Sequence, residues 1–391
     1  MSSIKKIEVF FLEYPFPKKL NYKYSAGLVE NMIIPVVKLT DINNNYGLGE
    51  ITHGQFTYEP IIGLIKHFNN LLKNTDSENI NQAWEKMYGS SVFWNREGIG
   101  IGVMGGINIA MYDLLGKQMK TPVYKLLGGI QKEKIRIYAS NGLFDNSKQL
   151  LEDVQKAYLN GFRVYKMRVI DPNTIINLVK VFNKKFKNKM QLIVDAVQGS
   201  AATPWATKVS INLAKKLEKE EIVFLEEPFR VENLKGYKDL KKFTTLNIAG
   251  AESIPTARAF KKYLDEDVFD ILQFDIATSG FTEGRRISDL AYIHNKPIAI
   301  HSWGSAISIM AGIHFGLTVP NVAFTEYCFM DHPINKELFE NKKIDISNGY
   351  ITKPKCHGLG VKFNDMLSKK FPYKEKINTM ISTNNSDIKL K

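Results

Sequence analysis

From about residue 135 onward, short apolar runs alternate with longer amphipathic stretches along the chain. The runs are mostly four to six residues long, which is typical of parallel strands buried on both faces. The stretches between them repeat apolar residues at helical spacing, as at 175–186, 210–219, 257–265 and 283–294. One strand, one helix and two short loops fill each repeat, so the pattern predicts a (β/α)8 barrel whose first strand is 135–139.

A charged or polar side chain ends each of seven runs, at intervals of about 23 to 31 residues. The C-terminal ends of barrel strands surround one mouth, where barrel enzymes carry out their chemistry. We therefore expect these side chains to converge there. They are Lys166, Asp195, Glu226, Glu252, Asp275, His301 and Glu326.

The first 130 residues have a different pattern, which predicts an antiparallel meander of three strands followed by three helices. The strands are expected at 4–14, 32–41 and 46–52, and the helices at 58–72, 81–87 and 106–117. We expect residues 1–130 to form an α+β capping domain and 131–330 to form the barrel. The tail, 331–391, is expected to pack back on the capping domain and complete it.

Composition adds few constraints, because 44% hydrophobic and 24% charged residues are ordinary for a globular protein. Cys328 and Cys356 are too few for a disulfide framework, so a reducing cytoplasm is expected. Residues 1–6 lead into a strand rather than the apolar core of a signal peptide. The most apolar window, 297–320, contains polar residues and fits a barrel strand with its helix better than a membrane span.

The formal net charge of +13 raises the question of a nucleic-acid partner. Such a partner would need the charge concentrated on one face, whereas the lysines are scattered along the predicted helices. The densest run, 184–189, falls at a helix C-terminus, where cations are favoured. We expect a solvated lysine-rich surface and no nucleic acid, and attraction of anionic substrates stays open.

Residues 100–105 match the glycine pattern of dinucleotide-binding loops. That pattern needs a preceding strand, which 95–98 does not provide, and an acid about twenty residues later, whereas Asp113 comes too early. Small residues that allow close helix packing are the better interpretation.

Three of the strand-end acids, Asp195, Glu226 and Glu252, lie on consecutive predicted strands. Oxygen ligands without thiolates or imidazoles suit a hard divalent cation, and Mg²⁺ is the first choice. Without a cation, three carboxylates at close range would repel one another and at least one would protonate. Salt bridges to neighbouring lysines are the alternative role for these acids.

His301 and Asp275 predict an acid–base pair, because a neighbouring carboxylate orients an imidazole and raises its pKa. Glu326, if it retains a proton, can donate a hydrogen bond to a developing oxyanion. Lys166 and Arg168 point to the same side of their strand, so both can reach an anionic substrate. A guanidinium stays protonated, which makes Arg168 a poor base.

These residues match a known family along nearly the whole chain. The chain resembles the enolase superfamily, specifically its mandelate racemase subgroup. The resemblance rests on Asp-Leu-Leu-Gly-Lys at 113–117, Thr-Pro-Val-Tyr-Lys-Leu-Leu-Gly-Gly at 121–129, Glu226-Glu227-Pro228, Asp275 five residues before Gly280, His301 and Glu326.

The resemblance implies that a base removes the proton α to a carboxylate and that Mg²⁺ stabilises the enediolate. It makes Glu226, the first glutamate of the motif, a metal ligand and assigns Glu326 to a hydrogen bond with the substrate carboxylate. Members often carry Lys-x-Lys on the second strand, where the second lysine is a base, but this chain has Lys166-Met167-Arg168. The change favours dehydration of an acid sugar (an aldonate) to a 2-keto-3-deoxy acid, with His301 as the single base.

The resemblance also places two loops of the capping domain, 16–31 and 52–59, over the barrel mouth. Candidate contacts to the sugar hydroxyls are Tyr22, Tyr24, His53, Gln55, Asn141 and Trp303. A racemase or epimerase of a 2-hydroxy acid is the main alternative, and an inert binding protein with a basic surface is the other. A homo-oligomer is common in this family. Which sugar acid is used, and whether elimination is syn or anti, stay open.

Overall fold

The computed structural model describes residues 2–20, 22–24, 27–341 and 344–374 of the chain. Its N-terminal part contains the antiparallel sheet that the sequence predicts, in the order β1-β4-β5, with β2 and β3 forming a separate hairpin. The strands are β1 (Ile4–Pro15), β2 (Lys23–Tyr24), β3 (Gly27–Leu28), β4 (Asn31–Asp41) and β5 (Tyr46–Glu50). Short 3₁₀ helices at Lys18–Leu20 and Thr52–Gln55 lie in the two loops that were expected over the mouth.

Four helices follow this sheet: α1 (Glu59–Leu72), α2 (Ile80–Ser91), α3 (Ile99–Gln118) and α4 (Val123–Leu126). Helix α3 begins seven residues earlier than predicted, because the glycine-rich residues 100–105 are helical. A Cβ on Gly105 would lie 2.2 Å from the Thr278 carbonyl oxygen. The glycines therefore permit close packing. By length and composition α3 could cross a membrane, but 83% of its most apolar window is buried inside the protein, as in a core helix.

Residues 134–328 form the predicted barrel. Each strand pairs in parallel with the next, and β13 pairs back to β6 with Glu326 opposite Tyr138, which closes the sheet. The strands are β6 (Lys134–Ser140), β7 (Val164–Arg168), β8 (Gln191–Asp195), β9 (Ile222–Glu226), β10 (Ile248–Gly250), β11 (Ile271–Leu272), β12 (Ile298–Ile300) and β13 (Val322–Cys328). The outer helices are α5 (Ser147–Leu159), α6 (Pro172–Phe186), α7 (Thr207–Leu217), α8 (Leu234–Lys241), α9 (Ala257–Asp265), α10 (Ile276–Ile293) and α11 (Ala306–Gly316).

The tail contributes α12 (Pro333–Leu338), β14 (Ile346–Ser347), β15 (Tyr350–Thr352) and α13 (Met366–Lys370). It packs on the capping domain as predicted: the Phe363 ring lies 5.0 Å from that of Phe10, and Asp365 accepts from Lys38 at 2.7 Å. It also pairs β15 antiparallel with β6, which the sequence did not suggest. The exact domain boundaries stay predictions.

The barrel interior is filled by one apolar side chain from each strand, and this cluster is almost fully buried. Its members are Tyr138, Val164, Ile193, Phe224, Ala249, Ile271, Ala299 and Phe324. Because side chains alternate between the faces of a strand, the residue two positions later on each strand faces the same interior, nearer the C-terminal mouth.

Candidate active site at the barrel mouth

On seven of the eight strands, the residue two positions after the apolar interior residue is polar and buried. These residues form a polar ring on top of the apolar cluster: Ser140, Lys166, Asp195, Glu226, Gln273, His301 and Glu326. On the remaining strand, Glu252 follows two residues after the end of β10. The sequence pattern placed Lys166 and Glu326 at the ends of their strands, but both lie inside them, because β7 and β13 each continue for two further residues. Ser140 and Gln273 were missed, although the same alternation identifies them.

The Lys166 ammonium is fully buried at the centre of the carboxylates. Its Nζ lies 2.6 Å from Glu226 Oε1, 3.1 Å from Glu326 Oε1 and 3.7 Å from Asp195 Oδ2. Burial alone would lower the pKa of Lys166, but Glu226 and Glu326 raise it above its ordinary value. The side chain is therefore a fixed positive charge.

Arg168 extends this cluster on the same face of β7. Its Nε lies 3.3 Å from Asp195 Oδ2, and its Nη2 donates to Glu326 Oε1 at 3.0 Å. The guanidinium lies over the Trp303 ring, 5.4 Å from the centroid. Within the described residues, Arg168 Nη1 and Trp303 Nε1 are buried donors without a hydrogen-bond partner. Two donors are thus available to a ligand beside Lys166.

His301 makes contacts through both ring nitrogens. Nδ1 lies 2.5 Å from Asp275 Oδ2, while Nε2 lies 3.0 Å from Glu252 Oε2 and 3.4 Å from Glu326 Oε2. Burial alone would lower the pKa of His301, but Glu252 and Glu326 raise it well above its usual value. The predicted pair of His301 and Asp275 is therefore formed, with Nε2 directed at the other carboxylates of the mouth.

Glu326 connects the two clusters, since its oxygens contact Lys166, Arg168 and His301. Burial would raise the pKa of this carboxyl, but Lys166 and His301 lower it well below its usual value. The electrostatics thus favour an ionised Glu326. A retained proton on Glu326 stays a prediction.

The three predicted metal ligands reach the same mouth but form ion pairs with different cations. Asp195 and Glu226 lie beside Lys166, and Glu252 lies beside His301. As the side chains are placed, no three His, Cys, Asp or Glu residues in the described part of the chain are grouped closely enough to hold an ion.

The same residues nevertheless fit a divalent cation chemically. Glu226 Oε2 is buried and has no hydrogen-bond partner among the described residues. Around the mouth, the acids that contact the three cations Lys166, Arg168 and His301 are Asp195, Glu226, Glu252, Asp275 and Glu326. With all eight groups ionised, the negative charges would exceed the positive ones by two. Burial, opposed by Lys166, raises the pKa of Glu226 to about 7. A divalent cation would offset that excess, and Asp195, Glu226 and Glu252 are the acids that could hold it.

The predicted sugar contacts have mixed locations. Trp303 lies beside Arg168, whereas Asn141 donates to Asp153 Oδ2 on α5 at 3.0 Å. His53 packs against α3, since a Cβ on Gly102 would lie 2.5 Å from its Nδ1. Tyr24 belongs to β2, but its side chain is outside the described residues.

Tyr22, in the first of the two loops, is buried between Phe16 and Phe144, with ring centroids 5.0 and 5.2 Å apart. Phe144 follows the first barrel strand, so this loop docks beside the mouth. Gln55 is buried in the turn of the second loop.

Two family models match the chain. The model described as "Mandelate racemase / muconate lactonizing enzyme, N-terminal domain" matches residues 6–128, and "Enolase C-terminal domain-like" matches residues 149–367. The first match covers the meander and its helices, and the second covers most of the barrel and part of the tail.

Two curated relatives extend over nearly the whole chain. The arabinonate dehydratase of Saccharolobus solfataricus is 28% identical over 361 residues, which are 89% of this chain and 93% of the relative. The D-gluconate/D-galactonate dehydratase of Picrophilus torridus is 25% identical over 388 residues, 95% of each chain. Both relatives are named for reactions of sugar acids.

Solved structures share the fold along nearly the whole length of the chain. The 3,6-anhydro-D-galactonate cycloisomerase of Zobellia galactanivorans is 29% identical with a TM-score of 0.83, covering 95% of this chain and 99% of that one. A racemase of Streptomyces coelicolor A3(2), crystallised with magnesium, has a TM-score of 0.82 at 21% identity, covering 94% and 99%. At that identity the likeness to the racemase concerns the fold alone.

Proposed function

The chain belongs to the enolase superfamily, in its mandelate racemase subgroup, and we propose that it dehydrates an aldonate to a 2-keto-3-deoxy acid. It is an enzyme, and its curated relatives are sugar-acid dehydratases that act on small molecules. The observation that carries the proposal is the asymmetry of the mouth. His301, paired with Asp275, can accept a proton on one side when Glu252 leaves Nε2 to hold a cation, whereas the described residues on the other side are Lys166 and Arg168, which the surrounding carboxylates keep charged.

Members of this superfamily bind Mg²⁺, and here Asp195, Glu226 and Glu252 would hold the ion. When bound, it supplies positive charge that stabilises the negative charge developing on the substrate carboxylate. Lys166 and the free Nη1 of Arg168 would orient that carboxylate from the other side. Glu252 now pairs with His301, so binding of a cation by Glu252 would compete with that ion pair.

The proton transfers follow from the His301 geometry. Nε2 accepts the α-proton from C2, and Asp275 stabilises the resulting imidazolium through Nδ1–H. The imidazolium then gives its proton to the C3 hydroxyl as the C3–O bond breaks and water leaves. The enol that remains takes a proton at C3 and loses the proton of its C2 hydroxyl, which yields the 2-keto-3-deoxy acid.

Racemisation remains the alternative, and it needs a second base on the opposite face of C2. Arg168 occupies the position of that base, and the carboxylates of Glu326 and Asp195 hold its pKa above the ordinary value despite burial. A permanently protonated group can bind a carboxylate but does not remove a proton at physiological pH. The sequence departure at this position therefore favours dehydration.

The experiment is a screen of pentonates, hexonates, a 3,6-anhydro-aldonate and aldarates for 2-keto acid formation with Mg²⁺ in deuterated water, with His301→Asn as the inactive control. We expect a 2-keto-3-deoxy acid that carries solvent deuterium at C3. Inversion at C2 without keto acid would favour the racemase. Absence of both reactions from the whole panel would overturn the proposal. A cytoplasmic location and a homo-oligomer stay predictions.

A further inference from the structure

One hydrogen bond connects the capping domain directly to the acid–base pair. Thr52 begins the 3₁₀ helix after β5, and its Oγ1 donates to Asp275 Oδ1 at 3.0 Å, across 223 residues of sequence. The other oxygen of the same carboxylate contacts His301 Nδ1 at 2.5 Å. Asp275 is only 2% exposed, so water has little access to either oxygen.

Asp275 Oδ1 has a second donor, the Thr278 backbone N–H at 2.7 Å. This contact is the N-cap of α10 and fixes the carboxylate relative to its own helix. Thr52 approaches from another domain. Two donors from different directions define the plane of the carboxylate, and that plane determines where Oδ2 meets the histidine.

The capping domain also holds the helices that follow both residues of the pair. Asn108 on α3 accepts from the Phe281 backbone N–H at 2.8 Å, next to the kink of α10 at Gly280, where φ is 64°. Glu50 accepts from the Ser305 backbone N–H at 3.0 Å and from Ser305 Oγ at 2.6 Å, at the start of α11. With these helices held, Thr52 has a fixed position from which to act on Asp275.

We propose that Thr52 is a positioning residue for proton abstraction: its hydroxyl orients Asp275, which in turn directs His301 Nε2 at the α-carbon. The inference rests on the proposed function and deepens it. When a residue orients a functional group through a hydrogen bond, its mutation typically lowers activity about 10–100-fold. Misplacing a reacting group by about 1 Å can have a comparable effect.

The test compares two substitutions of nearly equal size. Thr52→Val keeps the branched shape and removes the donor, whereas Thr52→Ser keeps the donor and removes a methyl group. For Thr52→Val we expect kcat to fall about 10–100-fold with little change in KM, and a larger isotope effect with α-deuterated substrate. Thr52→Ser should recover most of kcat. Melting temperatures of both variants show whether either is partly unfolded.

A second readout does not depend on turnover. In protein with nitrogen-15-labelled histidine, the NMR signals of the His301 imidazole are assigned by their loss in His301→Asn. Their chemical shifts should change in Thr52→Val and stay near the wild-type values in Thr52→Ser. Unchanged shifts in Thr52→Val, or equal losses of kcat in both variants, would overturn the inference. If no acid sugar is dehydrated but the shifts move as expected, the proposed function fails and the positioning role of Thr52 survives.

Discussion

The two halves of the barrel mouth are held in place by different means. On the half formed by β8 to β10, the barrel backbone positions the acids: the Val197 N–H donates to Asp195 Oδ1 at 2.7 Å. Within two residues of each of the three acids, a non-glycine residue has its backbone in the left-handed region, with φ of 53° at Val197, 42° at Glu227 and 84° at Ala251. Each such residue lowers the free energy of unfolding by about 1–2 kcal/mol.

On the half formed by β11 and β12, the contacts come from another domain. Thr52 reaches Asp275, and Glu50 reaches the helix that follows His301. On the carboxylate half, the contact that orients Asp195 thus comes from the barrel's own backbone, and strained residues follow or precede the acids. The proton-transfer half is completed only when the capping domain docks. We conclude that substitutions on the first half should change cation binding, whereas those on the second should change proton transfer.

The largest effect is expected for His301→Asn. It removes both the base and the general acid of the proposed reaction, and each role typically contributes about 10²–10⁴-fold. We expect no measurable dehydration and no exchange of the α-proton with deuterated water. Calorimetric titration should still detect Mg²⁺ binding. Near-native turnover in this variant would show that proton transfer does not belong to this half of the mouth.

Much of this architecture could be predicted from the sequence because its periodicities are local. Alternation within each strand and the regular interval between strands identified the barrel and seven of the residues at its mouth. The N-terminal meander followed in the same way. Ser140 and Gln273 lie at equally regular positions but were missed, because neither residue type suggests catalysis by itself.

Contacts between distant segments could not be predicted from local patterns. Thr52 meets Asp275 only after two domains dock, and nothing in either segment indicates the partner. The start of α3 was misplaced because glycine disfavours helices, whereas here packing against α10 outweighs that preference. The pairing of Glu252 with His301 depends on side-chain positions, which strand spacing does not specify.

A smaller effect is expected for Glu252→Gln on the carboxylate half. An amide cannot replace a carboxylate as a charged ligand, so Mg²⁺ affinity measured by calorimetry should fall by at least about tenfold. The rise in melting temperature on adding Mg²⁺ should shrink accordingly. Glu232→Gln, at an exposed glutamate between β9 and α8, is the matched control and should bind Mg²⁺ as the wild type does. Equal affinity in Glu252→Gln and the control would remove Glu252 from the ligand set.

The last effect is on stability rather than on activity or cation binding, and it concerns Glu50, which joins the capping domain to the proton-transfer half. Burial raises the pKa of this carboxyl from 4.5 to about 7, although Ser305 and Ser308 donate hydrogen bonds to it. Between these two values the folded protein retains a proton that the unfolded chain releases, so raising the pH through this window lowers stability. Across the whole window, the free energy of unfolding should fall by an amount on the order of 3 kcal/mol.

The amide of Glu50→Gln does not titrate, so comparison with this variant isolates the effect of Glu50 ionisation on stability. We expect the stability of wild type relative to Glu50→Gln to decline as the pH rises from about 4.5 to about 7 and to level off above that. Denaturant unfolding at several pH values measures this difference in stability. Glu8→Gln, at a half-exposed glutamate of β1, is the control for the loss of one charge. The effect of burial is opposed by the favourable interaction of an ionised Glu50 with the N-terminus of α11. If wild type instead gains stability over Glu50→Gln with rising pH, the interaction with the helix N-terminus outweighs burial. An ionised Glu50 then stabilises the contact between the capping domain and the proton-transfer half.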